Sequence, residues 1–256
     1  MPPKTIFITG ANRGIGLGIV KKLLENKEIE TVIAGARDLD KAEELRSLAQ
    51  SDYRLVLLQV DVSSDESLIE TVKKVDQIVG KRGLNLLINN AGMIEVYQTD
   101  SEPNRQKVLN CINVNAVSAL LASQHFLPLL LRASALGDHS PDSLSATRSA
   151  ILNIGSDCSS QTLNITGFCN ETLLAYKMSK TAMLSFARTL TADFKTLGYP
   201  ILVITMHPGW VLTDMGGPMA PVTIAESAGD IVDSIGKLNE THNGGLFDRQ
   251  LKEMPF

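Results

Sequence analysis

The chain has 256 residues, a net charge of −4 and an apolar fraction of 44%, enough for one large core and consistent with a single domain over residues 1–256. Its lysines and arginines are scattered along the chain, which excludes a nucleic-acid or acidic-membrane partner as the expectation. Three cysteines form no CxxC pair and four histidines lie far apart, so neither a disulfide framework nor a metal site is expected. Met1-Pro2-Pro3-Lys4 leads straight into an apolar run without a signal peptide's h-region, and with free thiols this points to a cytoplasmic protein.

In chain order, apolar β-branched runs predict strands at 5–9, 31–35, 55–60, 84–88, 150–154, 201–206 and 245–247. Amphipathic stretches between them predict helices at 15–26, 39–50, 65–79, 103–132, 173–197 and 224–238. The most lipophilic stretch, 116–131, is broken by Ser118, Ser123, Gln124, His125 and Pro128, and reads as a buried helix and not a membrane span. Alternation of this kind predicts an α/β fold, a Rossmann-type doubly wound parallel sheet of about seven strands with helices on both faces. Irregular stretches at 135–149, 157–172 and 207–222 interrupt it. The last two follow strand ends, the edge where open α/β sheets bind ligands.

The first strand runs into Thr9-Gly10-Ala11-Asn12-Arg13-Gly14-Ile15-Gly16 and then a helix. Glycines there let the backbone approach a pyrophosphate, and the helix N-terminus supplies free N–H groups and partial positive charge. The second strand ends in Gly35-Ala36-Arg37, without the carboxylate that usually meets free ribose hydroxyls. Arg37 and Arg13 together therefore favour NADPH over NADH, unless Arg37 pairs with Asp38 or Asp40. Asp61, with Val62 after it, ends the third strand. It reads either as an acceptor for the adenine amino group or as the cap of the next helix. Asn89-Asn90-Ala91-Gly92 ends the fourth strand as a polar turn with small residues.

Tyr176 and Lys180 stand four residues apart in a predicted helix and so share a face. A fixed positive charge lowers a phenol's pKa, which would make the pair a tuned acid or base. His207 reads as structural, being at a strand end.

Taken together, the glycine turn, Asn89-Asn90-Ala91-Gly92, Ser156, Tyr176-x-x-x-Lys180 and Pro208-Gly209 occur in the order found in the short-chain dehydrogenase/reductase family. The chain resembles that family over nearly its whole length. A narrower likeness, carried by His207 to Gly217, Asn243-Gly244-Gly245 and the long segment 157–175, is to sniffer-type carbonyl reductases and C-factor-like proteins. The resemblance implies reduction of a carbonyl compound with NADPH and a tetrad of Asn115, Ser156, Tyr176 and Lys180. In that tetrad Tyr176 protonates the carbonyl oxygen and Ser156 orients it. Lys180 holds the nicotinamide ribose, and Asn115 anchors a water leading to solvent. Pro208, Gly209, Val211 and Thr213 would meet the nicotinamide. The resemblance further implies a homodimer or homotetramer through the helices at 103–132 and 173–197. Asp157, beside the serine, departs from the small residues common there. Two other readings stay open, a non-catalytic NADPH-binding sensor and an alcohol dehydrogenase working in the oxidative direction.

Overall fold

The computed structural model describes residues 1–137, 139–140, 143–164 and 173–256. Among these, seven strands form one parallel sheet in the order β3-β2-β1-β4-β5-β6-β7. They are β1 Thr5–Ile8, β2 Thr31–Ala36, β3 Leu55–Gln59, β4 Leu86–Asn89, β5 Ala150–Ile154, β6 Leu202–His207 and β7 Leu246–Asp248. The helices are α1 Gly14–Glu25, α2 Glu43–Ser51, α3 Asp65–Val79, α4 Arg105–Ile112, α5 Ser118–Ser134, α6 Gln161–Asn164, α7 Leu174–Leu197 and α8 Ile224–Ile235. This is the Rossmann-type fold expected from the sequence.

The period-2 alternation of a strand sends neighbouring side chains to opposite faces, and the core divides accordingly. Ile6, Ile8, Leu86, Ile88, Leu152 and Ile204 face one layer, built on α1, α2 and α8. Phe7, Ile33, Leu87, Ile151 and Val203 face the other, built on α3, α5 and α7. Phe7 stacks on Phe126 of α5 with ring centroids 4.7 Å apart. Because both faces are covered, the strands are mostly apolar, with polar residues such as Gln59, Asn89 and Asp248 gathered at their C-terminal ends.

Two helices differ from the sequence expectation. The helix expected from residue 39 begins at Glu43, because the Asp38 carboxylate accepts the N–H groups of Asp40 and Lys41 (3.0 and 3.3 Å) and holds a turn there. The helix expected at 103–132 is interrupted by a π-turn at Asn113–Val117 between α4 and α5. There the Asn113 carbonyl takes both the N–H and the hydroxyl of Ser118. Such π-turns insert one residue into the ladder and turn a side chain inward, here that of fully buried Asn115. Residues 105–134 are long and apolar enough to cross a bilayer, but half of their most apolar window is buried within the fold.

The strands end level with one another: Ala36 pairs with Gln59, Asn89 with Asn153, Ile154 with Met206 and His207 with Asp248. Arg37, Asp61, Asn90, Ser156 and Pro208 are therefore delivered to one edge. The order in which strands are laid down reverses between β1 and β4, the switch point where such sheets bind ligands.

Candidate active site

At the switch point the glycine turn is held from the neighbouring strand end. Gly10 adopts φ +65°, and a Cβ on it would lie 2.8 Å from the Ala91 Cα. A Cβ on Gly16 would lie 2.3 Å from the Gly10 carbonyl oxygen and 2.5 Å from Asn90 Nδ2, so only glycine fits. The Asn90 amide donates to the Thr9 and Gly10 carbonyls (2.8 and 3.0 Å). The Thr9 hydroxyl accepts from the N–H groups of Asn90 and Ala91 (3.1 and 3.0 Å). Asn90 is thus a brace under the turn. Asn89 points into the interior, donating to Asn153 Oδ1 (2.9 Å) and Ser123 Oγ (3.1 Å). Its buried Oδ1 has no partner, and the residue borders a small cavity lined also by Thr9, Val62 and Ala91.

The N-terminus of α1 is left open. Its cap residue Arg13 makes no capping hydrogen bond, and the first turn, with Gly14, Ile15 and Gly16, contains no acidic residue. In contrast, α3 is capped by Ser64 and begins Asp65-Glu66, and α8 begins with a Thr223–Glu226 capping box. A bare, glycine-cradled helix start fits a pyrophosphate.

Of the two arginines expected to converge here, Arg37 is exposed, while Asp38 and Asp40 pair instead with Lys41 and Arg46. Arg37 acts by its charge on Asp61, whose carboxyl is held below its usual range first by the Ser63 hydroxyl and also by Arg37. Asp61 does not cap α3; its carboxylate accepts from Ser63 (2.6 Å to the hydroxyl). Arg13 reaches the other way and pairs with Asp214 on the loop after β6, so the two guanidinium groups are not directed at one point. That pair is solvent-exposed and weak, and it ties the glycine turn to the loop.

The catalytic candidates meet where β5 ends beside α7. Ser156 follows Ile154-Gly155 at the start of a 3-10 turn, Asp157–Ser159. Its hydroxyl donates to Asp157 Oδ1 (2.8 Å) and accepts the Cys158 N–H (3.1 Å). Tyr176 stands on the first turns of α7, where the Ser156 side chain acts on its phenol. The Lys180 ammonium lies 5.8 Å from the Tyr176 ring centroid and donates to the Ile154 carbonyl (2.7 Å).

The expected lowering of Tyr176 by Lys180 does not occur in the protein alone. Burial pushes the phenol above its ordinary value; Cys158 and Asp157 act in the same direction and the Ser156 side chain acts against them. Burial likewise pushes Lys180 down, to about 8. Removal from water disfavours the charged form of each group.

Asn115 joins this group through Ser179. Its amide donates to Ser179 Oγ and to the Met93 carbonyl and accepts the Met93 N–H, each at 2.8 Å. Ser179 in turn donates to the Tyr176 carbonyl (2.7 Å). Protein partners thus occupy the side chain expected to hold a water, and it positions the segment after Gly92 against α7. His207 accepts the Asp157 N–H through Nδ1 (3.1 Å), and burial lowers its pKa, so it is a structural acceptor here.

The loop after β6 is folded on itself. The Thr213 hydroxyl donates to the Val211 carbonyl and accepts the Gly216 N–H (3.0 Å), and Trp210 Nε1 donates to the Gly216 carbonyl (2.7 Å). Gly209, after Pro208, has φ +86°, and a Cβ there would lie 2.7 Å from the Arg249 guanidinium. The part of 157–172 beyond Asn164 lies outside the described residues.

Sequence reasoning passed over Ser179, the link between Asn115 and the Tyr176 backbone, and Thr9, the link between β1 and the Asn90 turn. Each was visible only as a small polar residue inside a motif, a signal too common to select it.

An open helix start at the switch point of a parallel sheet, with a serine, tyrosine and lysine at the same edge, defines a dinucleotide-dependent oxidoreductase of the α/β class. The family pattern described as short chain dehydrogenase matches residues 4–221, and the chain belongs to that family. A Caenorhabditis elegans structure described as a carbonyl reductase, Sniffer, is 42% identical, covers all of both chains and superposes with a TM-score of 0.90. The NADPH-bound carbonyl reductase from chicken fatty liver is 33% identical over 100% of this chain and 95% of that one, with a TM-score of 0.93. The C-signal of Myxococcus xanthus is 30% identical over 68% of this chain and 93% of that protein.

Proposed function

We propose that the protein is an NADPH-dependent carbonyl reductase. The observation that carries this reading is the convergence of Ser156, Tyr176 and Lys180 beside an uncapped, glycine-cradled helix start. The likeness to carbonyl reductases, one of them NADPH-bound, supports it. Gly10, Asn12, Gly14, Ile15 and Gly16 would hold the pyrophosphate, and Arg37 a 2′-phosphate, with Arg13 joining it on release from Asp214. Asp61 and Val62 would flank the adenine. Asn89, Asn90, Ala91 and Gly92 would back the ribose, and Pro208, Gly209, Val211 and Thr213 the nicotinamide.

When bound, the nicotinamide supplies the hydride. The residues of this chain manage the charge that then grows on the carbonyl oxygen. The Tyr176 O–H bond breaks and its proton passes to that oxygen, and the Ser156 hydroxyl donates to the same oxygen and orients it. Lys180 would exchange the Ile154 carbonyl for the ribose hydroxyls. The first turns of α7 carry exposed Leu174 and Met178, and the loop after β6 carries exposed Trp210, Leu212, Met215 and Met219, a surface suited to an apolar carbonyl compound.

The test is NADPH depletion followed by absorbance over quinones, aldehydes, diketones and ketosteroids. Turnover of at least one class is expected, with a strong preference over NADH. The C-signal likeness favours one other reading, an NADPH-binding module without turnover. Saturable NADPH binding with no oxidation across the panel would establish it in place of the first.

A further inference from the structure

Among the described residues, the carboxylate beside the catalytic serine candidate has no cationic partner other than a histidine at its margin. Asp157 Oδ1 accepts the Ser156 hydroxyl and the Cys158 N–H, both at 2.8 Å, and its side chain is about one-fifth exposed. Among the described residues, the one basic group within ion-pair range is His207, with Nδ1 at 3.8 Å. That nitrogen accepts the Asp157 backbone N–H, so it carries no proton to offer the carboxylate. Lys180 directs its ammonium to the Ile154 carbonyl. The negative charge reaches Tyr176 as well, where it opposes ionisation of the phenol. A half-buried charge one hydrogen bond away from the serine must act on whatever the serine and tyrosine receive.

We propose that Asp157 is the specificity-determining residue of this site, admitting carbonyl compounds with no negative charge next to the carbonyl and refusing α-keto acids. The inference rests on the reductase reading above. A substrate oxygen that takes the Ser156 proton draws it away from Asp157 Oδ1, so the carboxylate is left facing the substituents of the carbonyl carbon. A neutral ester or alkyl group tolerates that neighbour. A substrate carboxylate brings a second negative charge into a partly desolvated space, where screening is weak. At a separation of several Å the repulsion is worth about tenfold to a hundredfold in kcat/KM.

The probe pair is methyl benzoylformate and benzoylformate, which present the same ketone with and without a negative charge. The wild type is expected to prefer the ester by at least about tenfold. In Asp157→Asn, which keeps an oxygen for Ser156 and Cys158, the ester-to-acid ratio falls by about tenfold or more, chiefly through a lower KM for the acid. Quenching of the single tryptophan, Trp210, by NADPH checks that the variant is folded; should it fail that check, Asp157→Ser gives the same comparison with a short acceptor retained. An unchanged ratio in a variant that binds NADPH overturns this inference alone, as does a wild type that reduces the acid as well as the ester. A wild type that binds NADPH and reduces no carbonyl compound of either panel removes the reductase reading and this inference with it.

Discussion

Gly16→Ala tests whether the glycine turn is built as tightly as the structure requires. The added Cβ would meet the Gly10 carbonyl oxygen at 2.3 Å and Asn90 Nδ2 at 2.5 Å, about 1 Å inside ordinary contact. Neither neighbour can yield alone, because the Asn90 amide also donates to the Thr9 and Gly10 carbonyls. Overpacking of this kind costs about 1–3 kcal/mol, and two weakened hydrogen bonds add about 1 kcal/mol each. Opposing them is the gain of alanine over glycine in a helix, at most about 1 kcal/mol and less in the first turn. Strain wins by about 2–4 kcal/mol, which lowers the Tm of a chain this size by roughly 5–15 °C. Thermal unfolding followed by circular dichroism reads this directly. NADPH titration through Trp210 fluorescence should show Kd raised by about tenfold or more, since the displaced carbonyl belongs to the turn proposed to cradle the pyrophosphate. A Tm within about 2 °C of wild type together with an unchanged Kd would refute the packing argument.

Three further outcomes are expected. Arg37→Asp replaces an exposed cation with an anion beside Asp61 and should weaken NADPH binding by about a hundredfold while leaving NADH within a few-fold, as judged by Kd for each; an unchanged preference counts against Arg37 as the 2′-phosphate contact. Ser156→Ala removes the donor to the carbonyl oxygen and should lower kcat by about a hundredfold or more with little change in NADPH Kd. Lys180, pushed down to about 8 in the folded chain and near 10.4 when unfolded, binds fewer protons folded than unfolded between those values. Its contribution to unfolding free energy therefore rises with pH across that window, by about 1 kcal/mol per unit. Urea unfolding at pH 7.5 and 9.5 should show that rise in wild type relative to Lys180→Met; parallel curves would contradict the assignment.

Much of the fold was legible because its signals are local. Strand β5 and helix α3 begin and end where the sequence indicates, the first as an apolar run, the second as an amphipathic stretch, although the cap of α3 is Ser64 and not Asp61. The start of α2 was misread because one carboxylate, Asp38, outweighs the helical tendency of the residues after it. The π-turn at Asn113–Val117 leaves no mark in a sequence that reads as ordinary helix. At the site, the motifs gave the residue types but not their partners. Asn89, Asn90 and Asn115 look alike in sequence, yet one points inward, one braces the turn and one locks Met93 to Ser179. The pairing of Arg13 with Asp214 joins residues 201 positions apart, beyond any local reading. Burial reverses the simplest reading of Tyr176 and Lys180, because desolvation depends on the whole fold.

The central claim is that Tyr176 gives its proton to a substrate carbonyl. Tyr176→Phe removes one oxygen and leaves the ring in place, so the measurement is steady-state NADPH oxidation with the best diketone or aldehyde, alongside NADPH Kd. The expected result is a kcat lower by about a thousandfold with Kd within a few-fold of wild type. Turnover within about tenfold of wild type would contradict the account.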